Sequence, residues 1–155
     1  MRDVLASKIT KPTLDDKVIP RKKLAQKLER IRQYPVTVMT AGAGYGKTTT
    51  LVQHLASQSL PLGWYNLGPE DSSIYFFSIY LSAALDSLFP GLKDWYCDRL
   101  KQEDSLGWNI LFFTFMLGIE QFDTDDKEGF LVIDDWQNVH QESDITMFFD
   151  RFLAS

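Results

Sequence analysis

The sequence predicts an α/β fold, a parallel sheet in three α/β/α layers, and three stretches predict it. The first is Val36-Thr37-Val38-Met39-Thr40, a short apolar and β-branched run after Pro35, leading through Ala41-Gly42-Ala43-Gly44-Tyr45-Gly46 to a helix start at Lys47. The second is Leu62 to Leu67, bounded by Pro61 and by Gly68-Pro69. The third is Phe130-Leu131-Val132-Ile133, which ends in Asp134-Asp135. Apolar runs of this length, separated by helical periods, are strands of a sheet covered on both faces.

The segments between them follow in order. Residues 1–19 read as an N-terminal strap, since Pro12 and Pro20 interrupt them and no helical period runs through them. The body of the domain is residues 20–155. A first helix opens at Pro20, carries Leu24, Leu28 and Ile31 on one face, and stops at Pro35. The helix after the glycine loop sets Leu51, Val52, Leu55 and Ala56 to one side. Asp71 or Ser72 is placed to cap a long helix with the stripe Ile74, Phe77, Leu81, Ala84, Leu85 and Leu88, which Pro90-Gly91 ends. Its aromatic residues Tyr75, Phe76, Phe77 and Tyr80 read as packing rather than as a base-stacking platform.

Residues 95–102 are ambiguous, with a short helix as one reading. Ser105 is placed to cap a helix bearing Trp108, Leu111, Phe112, Phe115, Ile119 and Phe122. The connector from Asp123 to Gly129 is acidic but lacks the twelve-residue ligand pattern of a calcium loop. Ser143 or Asp144 opens a last helix with Ile145, Phe148, Phe149 and Phe152.

Composition narrows the function classes. A net charge of -5 argues against general affinity for a nucleic-acid backbone, and Arg21-Lys22-Lys23 reads as a solvated helix start. Cys97 is the one cysteine, so no internal disulfide forms. With no apparent signal peptide, this fits a cytoplasmic protein. No apolar run reaches the roughly 18 residues that cross a bilayer.

The chemistry lies in the first and third stretches. Glycines at 42, 44 and 46 let a backbone turn its N–H groups inward around an anion, beside the positive end of the following helix. Residues 41–48 match the phosphate-loop (Walker A) pattern G-x-x-x-x-G-K-[ST] except for Ala41 at its first glycine position. Gly42, Ala43, Gly44, Tyr45, Gly46, Lys47, Thr48 and Thr49 are therefore the candidate phosphate-binding residues, with Lys47 reaching the β- and γ-phosphates and Thr48 coordinating Mg²⁺. Asp134 and Asp135, at the carboxyl end of a strand (Walker B), are placed to hold Mg²⁺ and to orient or deprotonate a water, respectively. His54 reads as a surface or packing residue. One further strand falls between Lys47 and Asp134, so the metal-binding strand is third in sequence.

Read together, Ser7-Lys8-Ile9-Thr10-Lys11-Pro12, Val18-Ile19-Pro20-Arg21 with Leu24, residues 43–49, Trp64-Tyr65-Asn66-Leu67 and Val132-Ile133-Asp134-Asp135-Trp136 carry a resemblance over nearly the whole chain. The chain resembles the N-terminal part of MalT-like, LuxR-family ATP-dependent transcriptional regulators, which are STAND-class P-loop NTPases. The resemblance implies the additional-strand type of that fold, incomplete here because the fourth and fifth strands are missing. It also implies ATP or ADP with Mg²⁺ as ligands, Val18 and Ile19 against the adenine, and Arg21 facing the phosphates. The sequence departs from the family's usual pattern at Gly42, Gly68 and Trp136-Gln137, where Pro, an acidic residue and Tyr-His are common.

A fourth strand normally separates the first from the third, so its absence implies a rearranged sheet or self-association through an exposed edge. No DNA contact is expected of this segment, since a helix-turn-helix belongs downstream. Hydrolysis by this stretch alone is expected to be weak or nil. The alternatives are a small-molecule kinase or conventional P-loop ATPase, and a non-catalytic interaction module.

Overall fold

The computed structural model describes residues 4–14, 22–40, 42, 44–103, 106–123 and 128–155. The chain divides into two compact units, Met1–Thr10 with Leu60–Ser155, and Lys11–Ser59. Its elements run α1 (Ala6–Ile9), α2 (Lys22–Leu28), α3 (Lys47–Ala56), β1 (Leu62–Asn66), α4 (Ile74–Leu85), α5 (Leu92–Leu100), α6 (Trp108–Phe122), β2 (Phe130–Asp134) and α7 (Ser143–Ala154).

The larger unit is α/β with a two-stranded parallel sheet, in which Leu62 is registered on Phe130 and Asn66 on Asp134. One face of that sheet, Tyr65 and Leu67 with Leu131 and Ile133, meets a core built by α4, α5, α6 and α7. Helical spacing selects its members, so Phe77, Leu81, Leu85, Leu111, Phe115, Ile145 and Phe148 are all buried. The rings meet edge to face, Phe148 standing 6.0 Å from Phe77, 5.2 Å from Phe112 and 5.3 Å from Phe115, as their quadrupoles favour. Residues 92–100 form a full helix that buries Leu92, Tyr96 and Leu100.

In the smaller unit α2 packs on α3, and Val52 and Leu55 are buried while Ala56 is exposed. Ile31 belongs to a separate one-turn 3-10 helix, Ile31–Gln33, rather than to α2.

Several expectations are corrected. Val36–Thr40 takes no regular secondary structure and joins no ladder among the described residues, with Val38 78% exposed and Val36 46%. A β-branched run fits a pleated surface, but it becomes a strand only where a neighbour takes up its backbone groups. Phe130–Asp134 pairs with β1 alone among the described residues, and each of its residues is half-buried rather than covered on both faces. The strap is not uniformly extended, because residues 6–9 make a helical turn. Asp71 and Ser72 do not cap α4, whose N-cap is Ser73, and α7 is preceded by Glu142. Pro20, Ser105 and most of the acidic connector lie outside the described residues.

Asp71 is buried, 1% exposed, because it ion-pairs with Lys8, which also lies 2.7 Å from Glu70. Burial lowers the Lys8 pKa most as a single influence, but the hydrogen bonds and charges of Asp71 and Glu70 together raise it above its ordinary value. Burial, and then the Asp71 charge, pushes the Tyr65 phenol far above its usual pKa, and burial does the same for Tyr96. The Tyr65 hydroxyl lies by that carboxylate without the geometry of a good hydrogen bond, which among the described residues leaves Tyr65 Oη and Asp71 Oδ1 unpartnered.

All three shifted groups hold their protons more tightly folded than unfolded. Their stabilisation is therefore complete below the ordinary values of 10.0 for tyrosine and 10.5 for lysine, and is lost as pH rises beyond them. Thermal melts are expected to shift down progressively above those values, and Tyr65→Phe to flatten the dependence. A Tyr65→Phe slope equal to that of the parent chain would refute the role given to this phenol.

Candidate functional site

The glycine loop is set by backbone sign. Gly44 and Gly46 take φ of 75° and 71°, in the left-handed region where a Cβ crowds the following carbonyl. Gly46 is the N-cap of α3, so the chain leaves a left-handed residue directly into a right-handed helix. Successive N–H groups in such a turn converge on one concave side, where the first-turn amides of α3 also lack intrahelical acceptors. Tyr45 N–H closes the loop on Gly42 O at 3.4 Å, and Lys47 Nζ donates to the same carbonyl at 3.3 Å. Thr50 turns inward, its hydroxyl donating to Gly46 O at 2.8 Å, while Thr48 and Thr49 are half-buried in the first turn. A groove of about 370 Å³ opens beside the loop, lined by Leu24, Leu28, Val38, Tyr45, Lys27 and Lys47. The two ammonium groups favour an anionic occupant.

The residues therefore fit a phosphate. The loop offers backbone donors, a helix N-terminus and a lysine, and among the described residues no carboxylate lines the groove. Ala43, Val18, Ile19 and Arg21 lie outside the described residues.

The carboxylate turn is built at the end of β2 in the other unit. Asp134 is half-buried, and its Oδ1 accepts the Asp135 N–H at 3.1 Å. Asp135 is exposed in the left-handed region at φ 60°, which is costly for a residue with a Cβ and least so for Asp and Asn. Gln137 Nε2 donates to Asp135 Oδ1 at 2.8 Å, and Asn138 N–H to Asp135 O at 3.0 Å. Trp136 is pinned against Phe149 and Phe77. His140 bonds the Gln137 carbonyl through Nδ1. These contacts fix the turn while Asp135 stays exposed. Two oxygen-rich side chains in succession are the hard ligand type that Mg²⁺ takes.

Gly42 and residues 44–49 thus lie together on the smaller unit, and Asp134 and Asp135 on the larger. Sequence reasoning missed Lys27 beside the loop and Asn138 beside the acids. Asn138 Nδ2 donates to Leu67 O at 2.8 Å and ties the turn to β1. A polar amide four residues past a strand end carries no periodic signal that would single it out.

No family model matches the sequence. The HTH-type transcriptional regulator MalT of Yersinia enterocolitica is 31% identical over 142 residues, which is 90% of this chain. The proteins of the same name from Yersinia pestis and Yersinia pseudotuberculosis are 32% identical over 144 residues. This chain is homologous to part of MalT. It spans about 15% of the length of these curated relatives. The MalT-like character implied by the motifs from Ser7 to Trp136 is thereby borne out over nine-tenths of the chain. Among the described residues no helix is long and apolar enough to cross a membrane.

Proposed function

We propose that this chain is the nucleotide-binding part of a signal-transduction ATPase that regulates transcription, a partial P-loop NTPase domain of the additional-strand type in the STAND class. The observation that carries the reading is the pair of left-handed glycines, Gly44 and Gly46, delivering the chain into α3 beside Lys47. Gly42 to Thr49 would bind the phosphates of ATP or ADP, with Arg21 facing those phosphates and Val18 and Ile19 against the adenine. Thr48 and Asp134 would hold Mg²⁺, and Asp135 would orient or accept a proton from water. Mg²⁺ held there would neutralise phosphate charge.

In this reading the terminal phosphate marks a state rather than drives turnover, so ADP holds a resting form and ATP an assembling one. That the backbone of Val36–Thr40 joins no ladder among the described residues supports self-association through that edge. The relatives are named as helix-turn-helix regulators, and DNA contact belongs to parts of such a protein outside this stretch. A cytoplasmic location follows from that role. A second reading, a non-catalytic interaction module, is favoured by the exposed stripe Ile110, Phe113 and Leu117 along α6, with exposed Leu106 just before it.

Calorimetric titration with ADP and with ATP, each with Mg²⁺, tests the proposal. Saturable binding is expected, and Lys47→Ala is expected to weaken it by about tenfold or more, the loss of a charge-assisted contact. Equal binding by the Lys47→Ala chain, or none by the folded parent, favours the interaction module.

A further inference from the structure

The ion pair between Lys8 and Asp71 joins residues 63 apart in sequence, both nearly removed from water. The phosphate and metal roles proposed above leave it unused. The oxygen of Asp71 that meets Lys8 also accepts the Gly68 N–H at 2.7 Å. Two residues earlier, Asn66 Nδ2 donates to Ser7 O at 3.0 Å and Thr10 O at 3.3 Å. Its orientation is fixed because Asn66 Oδ1 accepts the Trp64 indole N–H, which is a donor only. The strap is therefore bolted to residues 66–68 from one side.

From the other side the same three residues hold the carboxylate turn. Asn66 is registered on Asp134, Leu67 N–H donates to Asp134 O at 3.1 Å, and Leu67 O accepts Asn138 Nδ2. The one-turn helices Pro69–Ser72 and Trp136–Asn138 touch as well. The chain passes between its two compact units at residues 10–11 and again at 59–60. Lys8 lies two residues before the first crossing.

We propose that Lys8 and Asn66 are positioning residues for the carboxylate turn, so that the placement of Asp134 and Asp135 depends on whether residues 4–10 are seated on the end of β1. A pull on the strap from residue 11 onward reaches the acids through residues 66–68. The acids so placed are those proposed above to hold Mg²⁺, and in that respect the role of the strap rests on the nucleotide reading.

Native-state hydrogen exchange on the whole chain tests it, comparing the parent with Lys8→Met and with Lys8→Met/Asp71→Asn. The double variant leaves no buried unpaired carboxylate and covers the case in which the single variant does not fold. Both are expected to speed exchange at the Leu67 and Asn138 amides by about tenfold or more, with the Trp95 and Leu111 amides of α5 and α6 unchanged, as for a local opening. Equal acceleration throughout, or none at Leu67 and Asn138, overturns the proposal.

A second readout separates positioning from structure. Lys8→Met is expected to weaken ADP binding by about tenfold with Mg²⁺, within the range of coupling energies, but to leave it nearly unchanged in EDTA. Equal weakening under both conditions overturns the positioning role. Absence of ADP binding by the parent refutes the nucleotide reading, and the exchange pattern then decides the positioning role of Lys8.

Discussion

Phe77→Ala is expected to lower the stability of the larger unit by about 3–5 kcal/mol, the usual cost of emptying a buried aromatic site. Phe77 is fully buried, and its ring is met by Tyr65 at 5.7 Å, Phe148 at 6.0 Å, Trp136 at 6.3 Å and Phe149 at 6.4 Å. These neighbours come from β1, α7 and the turn after β2, so no single element can move in to close the cavity. The loss should appear as a reduced urea midpoint followed by near-ultraviolet circular dichroism, because aromatic packing is what that signal reads. A change below about 1 kcal/mol, the scale of a surface substitution, would mean that the ring is not enclosed as described.

What the sequence made legible was whatever repeats. The periods in α4, α6 and α7 named Phe77, Phe115 and Phe148 as core, and the apolar run before Asp134 marked β2. The stripe Leu92, Tyr96 and Leu100 was equally present, but Lys93, Asp94, Asp98 and Arg99 crowd that segment and mask its period. Val36–Thr40 shows the opposite limit. Its composition is that of a strand, yet composition reports compatibility with a sheet and not the presence of the neighbour that completes it.

Asp71 marks a third limit. An acidic residue shortly before a helical stripe is the pattern of a cap, and nothing local shows that a lysine far back in the chain will claim it. In the candidate site the glycine loop was legible because positive φ is nearly reserved for glycine. The left-handed Asp135 was not, since aspartate enters that region only when its surroundings hold it there.

The smallest substitution with a large expected effect is Gly63→Ala. Gly63 lies in β1 beneath α4, and a Cβ there would stand 2.4 Å from Ala84 O and 3.1 Å from Ala84 C, with Leu131 Cδ1 at 3.3 Å. Its φ is not in the left-handed region, so conformational strain is not the issue, and alanine would gain about 0.4–1 kcal/mol through the unfolded chain. Against this stands overpacking, which costs about 1–3 kcal/mol when side chains can adjust. Here the obstacle is a helix carbonyl, so α4 itself must shift from the sheet and loosen the packing of Phe77 and Leu81 with it. A net loss of about 2 kcal/mol is expected from these opposing terms, measured as a drop in the urea midpoint. Adding Leu131→Ala should give no rescue, because it relieves the 3.3 Å contact and leaves the carbonyl in place. Recovery of stability in that double variant would place the clash on the side chain and refute the close strand–helix approach.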